Sequence, residues 1–318
     1  MPEWASSILG LLALFTISLA AGLALLTAWT IHRLLHPPRR TYATALAQGR
    51  PGQPDQVPGV ASFETWPLTW RGMPLPVWDF PGAGGPAAPV FILSHGWGDS
   101  RIGALTRAQA LLPLASRFVA WDMPGHGDSP DDSPCLLGAH EHLALRALIE
   151  RLVQEPAPVV LLGWSLGAGV SIAAMSGWNT DAARNVRAII AEAPYRLPQT
   201  PARNMLRSFG LPHAINLPLA LAVARHRTGA PPFWDAPEGT FDRAALARSL
   251  PCPLLVLHGD QDAIAPIEDG RAIVQAAPDA RLQELQGLGH YSIWTGDHTP
   301  VIMEHVREFV GEAVGART

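Results

Sequence analysis

The chain has no lysine: all 23 of its cationic side chains are arginine. That absence excludes a Walker phosphate loop, a pyridoxal Schiff base and a lysine nucleophile, because each needs a primary amine. Cysteine is nearly as scarce. Cys135 and Cys252, the only two, cannot build a disulfide framework, a cysteine zinc site or an iron–sulfur cluster. They read as small buried or loop thiols. Charge is sparse at 16% of 318 residues, and the formal net charge of −4 offers no basic field for nucleic acid. What is plentiful is apolar surface, 48% of residues, which places most of the chain in the globular class.

The first apolar feature is a run without charge. Trp4 to Ile31 would extend about 42 Å as a helix, against roughly 30 Å for a hydrocarbon core, so it spans a bilayer with tilt to spare. Trp4 and Trp29 stand near its ends, and His32, Arg33, His36, Arg39 and Arg40 follow it. A cleaved signal peptide would carry its cations ahead of a shorter run, whereas here Glu3 precedes the run and the arginines follow it. The expectation is an uncleaved single-pass anchor over residues 1–36. Its positive flank holds the rest of the chain on the cytoplasmic side. Residues 37–60, rich in Pro, Gly, Arg and Gln, read as a linker, and residues 61–318 as one folded domain.

Within that domain short apolar runs alternate with helical spacing. Ser62–Trp70 and Leu75–Phe80 predict an opening pair of strands, and 90–93, 117–121, 159–162, 186–191 and 254–257 predict buried parallel strands. Leu145, Leu148, Ile149 and Leu152 share a helical face, as do Ile302, Val306, Phe309 and Val310 in a closing helix. The class is α/β: a mostly parallel sheet flanked by helices, with reactive loops at the carboxyl ends of its strands. Between about 195 and 250 the alternation lapses among prolines, which reads as a small cap.

Gly163-Trp164-Ser165-Leu166-Gly167 follows one of those strands and opens a run able to form a helix. This is the strand–turn–helix setting that a Gly-x-Ser-x-Gly nucleophile elbow requires, with glycines leaving room for a turn that lifts the hydroxyl clear of the sheet. At this point the chain resembles the α/β-hydrolase superfamily over residues 61–318. His95-Gly96-Trp97-Gly98, Asp122-Met123-Pro124-Gly125-His126-Gly127, His258-Gly259-Asp260-Gln261-Asp262 and Gly287-Leu288-Gly289-His290 resemble its loops in the family's chain order. The resemblance implies Ser165 as nucleophile, His290 as general base and Asp262 as its orienting acid, with Asp260 the neighbouring alternative. The Trp97 and Leu166 amides would form the oxyanion hole, each donor worth about 3 kcal/mol to the barrier. No metal and no cofactor are implied.

The remaining candidates divide between chemistry and architecture. His95 and His126 sit in glycine-bearing loops and read as loop-shaping groups, while His140 and His142, two apart, would face different sides of a helix and make no metal pair. Arg101, after Asp99 and Ser100, is either a solvated loop arginine or a site for an anionic substrate. In the cap, Met205, Leu206, Phe209, Leu211, Ile215, Leu217 and Leu219 either line an acyl pocket or merely pack the cap down.

The expected activity is therefore a membrane-anchored serine hydrolase cleaving a small-molecule or lipid-like carboxylic ester through an acyl-enzyme. Peptidase or thioesterase action on the same residues, or a catalytically silent hydrolase-fold binding protein, are the alternatives.

Overall fold

Strands β1 (Glu64–Trp70) and β2 (Met73–Pro81) form the opening hairpin, turned where Arg71 and Gly72 both take positive φ. The structure is a computed structural model and describes residues 3–152, 157–228 and 241–315. After the hairpin come β3 (Val90–Ser94), β4 (Arg117–Trp121), β5 (Val159–Trp164), β6 (Val186–Glu192), β7 (Leu254–Gly259) and β8 (Ala280–Leu285). They join in one sheet of order β1-β2-β4-β3-β5-β6-β7-β8, antiparallel at β1–β2 and β2–β4 and parallel elsewhere.

The helices are α1 (Glu3–Leu35), α2 (Tyr42–Ala47), α3 (Ala104–Leu111), α4 (Glu141–Leu152), α5 (Leu166–Met175), α6 (Asp181–Asn185), α7 (Gln199–Ser208), α8 (Asn216–Thr228), α9 (Arg243–Ala247), α10 (Ile267–Ala276) and α11 (Thr299–Gly315). Both faces of the sheet are covered, which is why its inner strands are apolar without alternation. The two-residue period survives in where they point. Ile92 and Leu161 enter one core with α4 and α5, and Phe91, Leu93, Val160 and Leu162 enter the other with α3 and α11.

Strand β8 was not legible in the sequence. It is a half-exposed edge strand in which Arg281, Gln283 and Glu284 interrupt the apolar pattern, so tertiary pairing with β7 decides its state. The stretch 37–60 that reads as a linker contains α2 and buries Ala45, Val57 and Val60 in the second core. Arg39 donates to the carbonyls of Gly127 and Ser129, and Arg40 pairs with Asp99 at 2.9 Å, so this segment straps the loops at the carboxyl ends of β3 and β4.

Helix α1 is long and apolar enough to cross a membrane, by length and composition. Its last turns belong to the folded body. Ile31 and Leu35 are buried there, and Cys135 donates its amide to the Leu35 carbonyl at 2.7 Å. The stretch 195–250, expected to form a cap, contains α7, α8 and α9, of which α9 packs on α5 and α10; Pro231, Pro232 and Pro237 of that stretch lie outside the described residues.

Candidate active site

Strand β5 ends at Trp164 and α5 begins at Leu166, so a single residue makes the turn between them. Ser165 makes it with φ 52 and ψ −110, a left-handed conformation that costs a non-glycine residue about 1–3 kcal/mol. Close packing leaves no gentler route: a Cβ on Gly163 would run into the backbone of Gly167 and Ala168, and one on Gly167 into that of Ser94 and His95. The strained turn is held from behind, where the Ser165 amide donates to the Glu192 carbonyl at 2.8 Å.

Two other strand ends deliver the partners. Asp262 follows β7 and His290 follows β8, and His290 Nδ1 lies 2.7 Å from Asp262 Oδ2 while its Nε2 lies 3.0 Å from Ser165 Oγ. The second Asp262 oxygen accepts the amides of Ile264 and Ala265, at 2.9 and 2.8 Å. Burial pushes this carboxyl up, but hydrogen bonds from His258 and His290, the His290 charge and the Ala265 amide outweigh it and hold the group well below the usual carboxylate range. Asp262 is thus an anion fixed by three hydrogen bonds, from His290, Ile264 and Ala265. Asp260 points elsewhere and accepts the Gly287 amide at 2.7 Å, which closes the loop ahead of His290.

The loop after β3 lies beside the serine, close enough that a Cβ on Gly96 would sit 3.5 Å from Ser165 Cβ. Among the described residues no group accepts the Trp97 or the Leu166 amide, and Leu166 opens α5, whose N-terminus favours negative charge. The site can therefore accept a developing oxyanion beside Ser165 Oγ.

Several residues that sequence reasoning passed over hold this arrangement. The Glu192 carboxylate receives Arg107 through Nε and Nη2 at 2.7 and 2.5 Å, and Trp294 Nε1 at 2.7 Å. Arg107 also stacks 3.8 Å from the centre of the Trp164 ring. One buried anion so ties β6, α3, the elbow and the chain after His290. His258, fully buried, donates to the Ala265 carbonyl at 2.8 Å and lies 3.5 Å from Asp262 Oδ2. No local signal marks the Glu192 network, since its members are distant in sequence; His258 stood within a quoted motif without a role.

Arg101 is neither a solvated arginine nor an anion receptor. It is buried, pairs with Asp122 and with Asp128 and stacks on Trp78, because its backbone amide also binds Asp122 and draws the side chain inward. His95 accepts the Met123 amide at 2.9 Å and His126 donates to the Pro124 carbonyl, so both shape loops. Burial first lowers both their pKa values. Among the described residues no cluster of His, Cys, Asp or Glu is placed to hold a metal. The seven candidate acyl-pocket residues of the stretch 195–250 divide: Leu206 and Leu217 are buried, Met205 and Leu211 half-buried, and Phe209, Ile215 and Leu219 exposed.

The model of the alpha/beta hydrolase family matches residues 90–302, from β3 into α11. The chain belongs to that family. This α/β hydrolase is 28% identical over 240 residues to a pimeloyl-[acyl-carrier protein] methyl ester esterase of Chromobacterium violaceum, covering 64% of this chain and 87% of the relative. A protein of the same name from Xanthomonas oryzae is 25% identical over 266 residues, 70% of this chain and 95% of the relative. Among solved structures, an esterase of Pyrococcus furiosus superposes with a TM-score of 0.64 at 18% identity, over 89% of this chain and 98% of that one. Est1E of Butyrivibrio proteoclasticus does so with 0.57 at 15%, over 80% and 100%. At those identities the likeness speaks for the fold alone.

Proposed function

We propose that this α/β hydrolase cleaves a hydrophobic carboxylic ester through an acyl-enzyme on Ser165, from a position held at a membrane by α1. The observation that carries the reading is the unbroken hydrogen-bonded line Ser165–His290–Asp262 beside two unengaged amides. A serine hydroxyl is a weak nucleophile near neutral pH. Here Ser165 Oγ bonds to the ester carbonyl carbon while its proton passes to His290 Nε2, and the carbonyl oxygen, now negative, rests on the Trp97 and Leu166 amides. Asp262 keeps the Nδ1–H tautomer and stabilises the imidazolium without taking a proton. Collapse breaks the bond to the alkoxy group, which leaves with the His290 proton. A water then loses its proton to His290 and attacks the acyl carbon, and the acid leaves as the Oγ–acyl bond breaks and Ser165 Oγ takes that proton from His290.

The curated relatives named above are methyl ester esterases, which supports a carboxylic ester over an amide here. The apolar α1 supports a substrate from, or near, the lipid phase. Arg33, Arg39 and Arg40 behind the helix, against Glu3 before it, support a catalytic domain on the cytoplasmic face of a bacterial membrane.

Labelling full-length protein with a fluorophosphonate probe tests the reading. Wild type should label and Ser165→Ala should not, with ester turnover falling by roughly 10⁴ or more. Near-normal turnover by folded Ser165→Ala protein would remove the mechanism.

A further inference from the structure

Only one side of the end of α1 is covered. Leu23, Leu26 and Thr27 are half-buried and Thr30, Ile31 and Leu35 buried, a single helical face, while residues 6–22 are exposed all round. Helix α8 packs along that face with Leu217, Ala220, Leu221 and Ala224 buried, and Asn216 Nδ2 donates to Thr30 Oγ1 at 2.8 Å. Because α8 begins beside Thr30 and the covered face of α1 reaches back to Leu23, α8 runs antiparallel to α1, toward the uncovered part.

This pairing sets a depth. The uncovered stretch from Trp4 to Gly22 rises about 28 Å as a helix, nearly the roughly 30 Å of a hydrocarbon core. The hydrocarbon then ends near Gly22, and the turns of α1 beside α8 lie at the level of lipid headgroups. Trp29, exposed at 45%, has the position of an interfacial aromatic.

At the same level a groove of about 450 Å³ opens between α7 and α8, lined by Gln199, Arg203, Arg207, His213, Leu217 and Leu221 among others. Among the described residues no acidic side chain lines it. Among the described residues Arg203, half-buried, has no hydrogen-bond or ion-pair partner, and the bond of Arg207 is to His213 Nε2 at 3.2 Å. Two guanidinium groups facing one cavity without a carboxylate repel each other, and an anion between them relieves that. Leu219 and Val223 are exposed on the face of α8 opposite Leu217 and Leu221, away from the groove, and Arg225 and Arg227 stand near the tip of the helix.

We propose that the α7–α8 groove is a headgroup site for an anionic phospholipid, whose phosphate sits between Arg203 and Arg207. The chemistry recognised is a phosphate anion, and the level of the groove, beside the end of the hydrocarbon, selects a lipid as its source. The site would seat the cap at the surface of the leaflet from which a hydrophobic ester arrives. The proposal rests on α1 spanning a bilayer.

The test uses full-length protein in dodecyl maltoside, titrated by native mass spectrometry with phosphatidylglycerol and with phosphatidylcholine. Wild type should hold phosphatidylglycerol about tenfold more tightly, and Arg203→Gln/Arg207→Gln should abolish that preference. Arg184→Gln, on distant α6, should retain it. If the double variant does not fold, Arg207→Gln alone should weaken phosphatidylglycerol by about threefold or more. Equal retention of both lipids overturns the proposal, as does a preference that survives the loss of Arg207 or that Arg184→Gln also removes. Displacement of phosphatidylglycerol by equimolar glycerol 1-phosphate overturns it in favour of a free phosphate ligand. Carbonate extraction of cell membranes tests the anchor separately. Release of the protein there would refute the anchor reading whatever the titration gives.

Discussion

The indole N–H of Trp97 donates to the Leu34 carbonyl at 3.1 Å, so the loop proposed to offer an oxyanion amide hangs on the last turn of the apolar helix. That carbonyl is one of the four a helix end leaves without an internal partner. Through it the apolar helix α1 is tied to the loop that lies beside Ser165.

Trp97→Phe keeps the backbone amide and most of the ring packing but removes this bond. Leaving a partly buried acceptor unpaired costs about 1–3 kcal/mol, and the thermal midpoint in detergent should fall accordingly. Turnover of a water-soluble ester should drop about tenfold in kcat with little change in KM, because the amide is misplaced where charge develops. A variant with wild-type kcat and midpoint would show that the α1 contact does not position the loop.

Asp262 and Asp260 lie two residues apart with different partners, His290 and the Gly287 amide. Asp262→Asn should reduce kcat by about 10⁴ while fluorophosphonate-independent substrate binding persists, since the imidazole loses its orienting anion. Asp260→Asn should cost no more than about tenfold, through a looser His290 loop. Steady-state kinetics on both variants decides, and the reverse order would reassign the acid.

His142 gives the fold a dependence on mild acid. Burial, and then the charges of Arg146, His140 and Arg243, lower its pKa to about 4 from an ordinary 6.5. Its folded-state pKa is depressed, so the unfolded chain binds the extra proton between those values and stability falls as pH drops from 6.5 toward 4. The neutral variant His142→Gln should lose less than wild type over that window. Thermal midpoints at pH 7, 5.5 and 4 measure the difference, and parallel curves would show that His142 titrates normally.

The elements readable from sequence were those whose signal is local. Strand β5 and its elbow were legible because glycine, serine and a buried strand stand within a dozen positions, and the face of α4 because Leu145, Leu148, Ile149 and Leu152 repeat at helical spacing. Strand β8 was not, since an edge strand with Arg281 and Glu284 owes its state to the neighbour it pairs with.

What the sequence by itself determined is the α/β class, the long apolar run ahead of the domain, and the serine, aspartate and histidine whose types and order suit acyl transfer. Tertiary structure alone decided that Arg101 pairs with Asp122, that Glu192 ties the elbow to Arg107 and Trp294, and that residues 37–60 strap the loops after β3 and β4. It also decided that α8 lies along α1, with a groove lined by Arg203 and Arg207 beside it. The physical reason is common to all of these: an arginine's partner and a helix's neighbour are set by which distant segments the packed sheet brings within a few ångströms, and no short-range pattern encodes that.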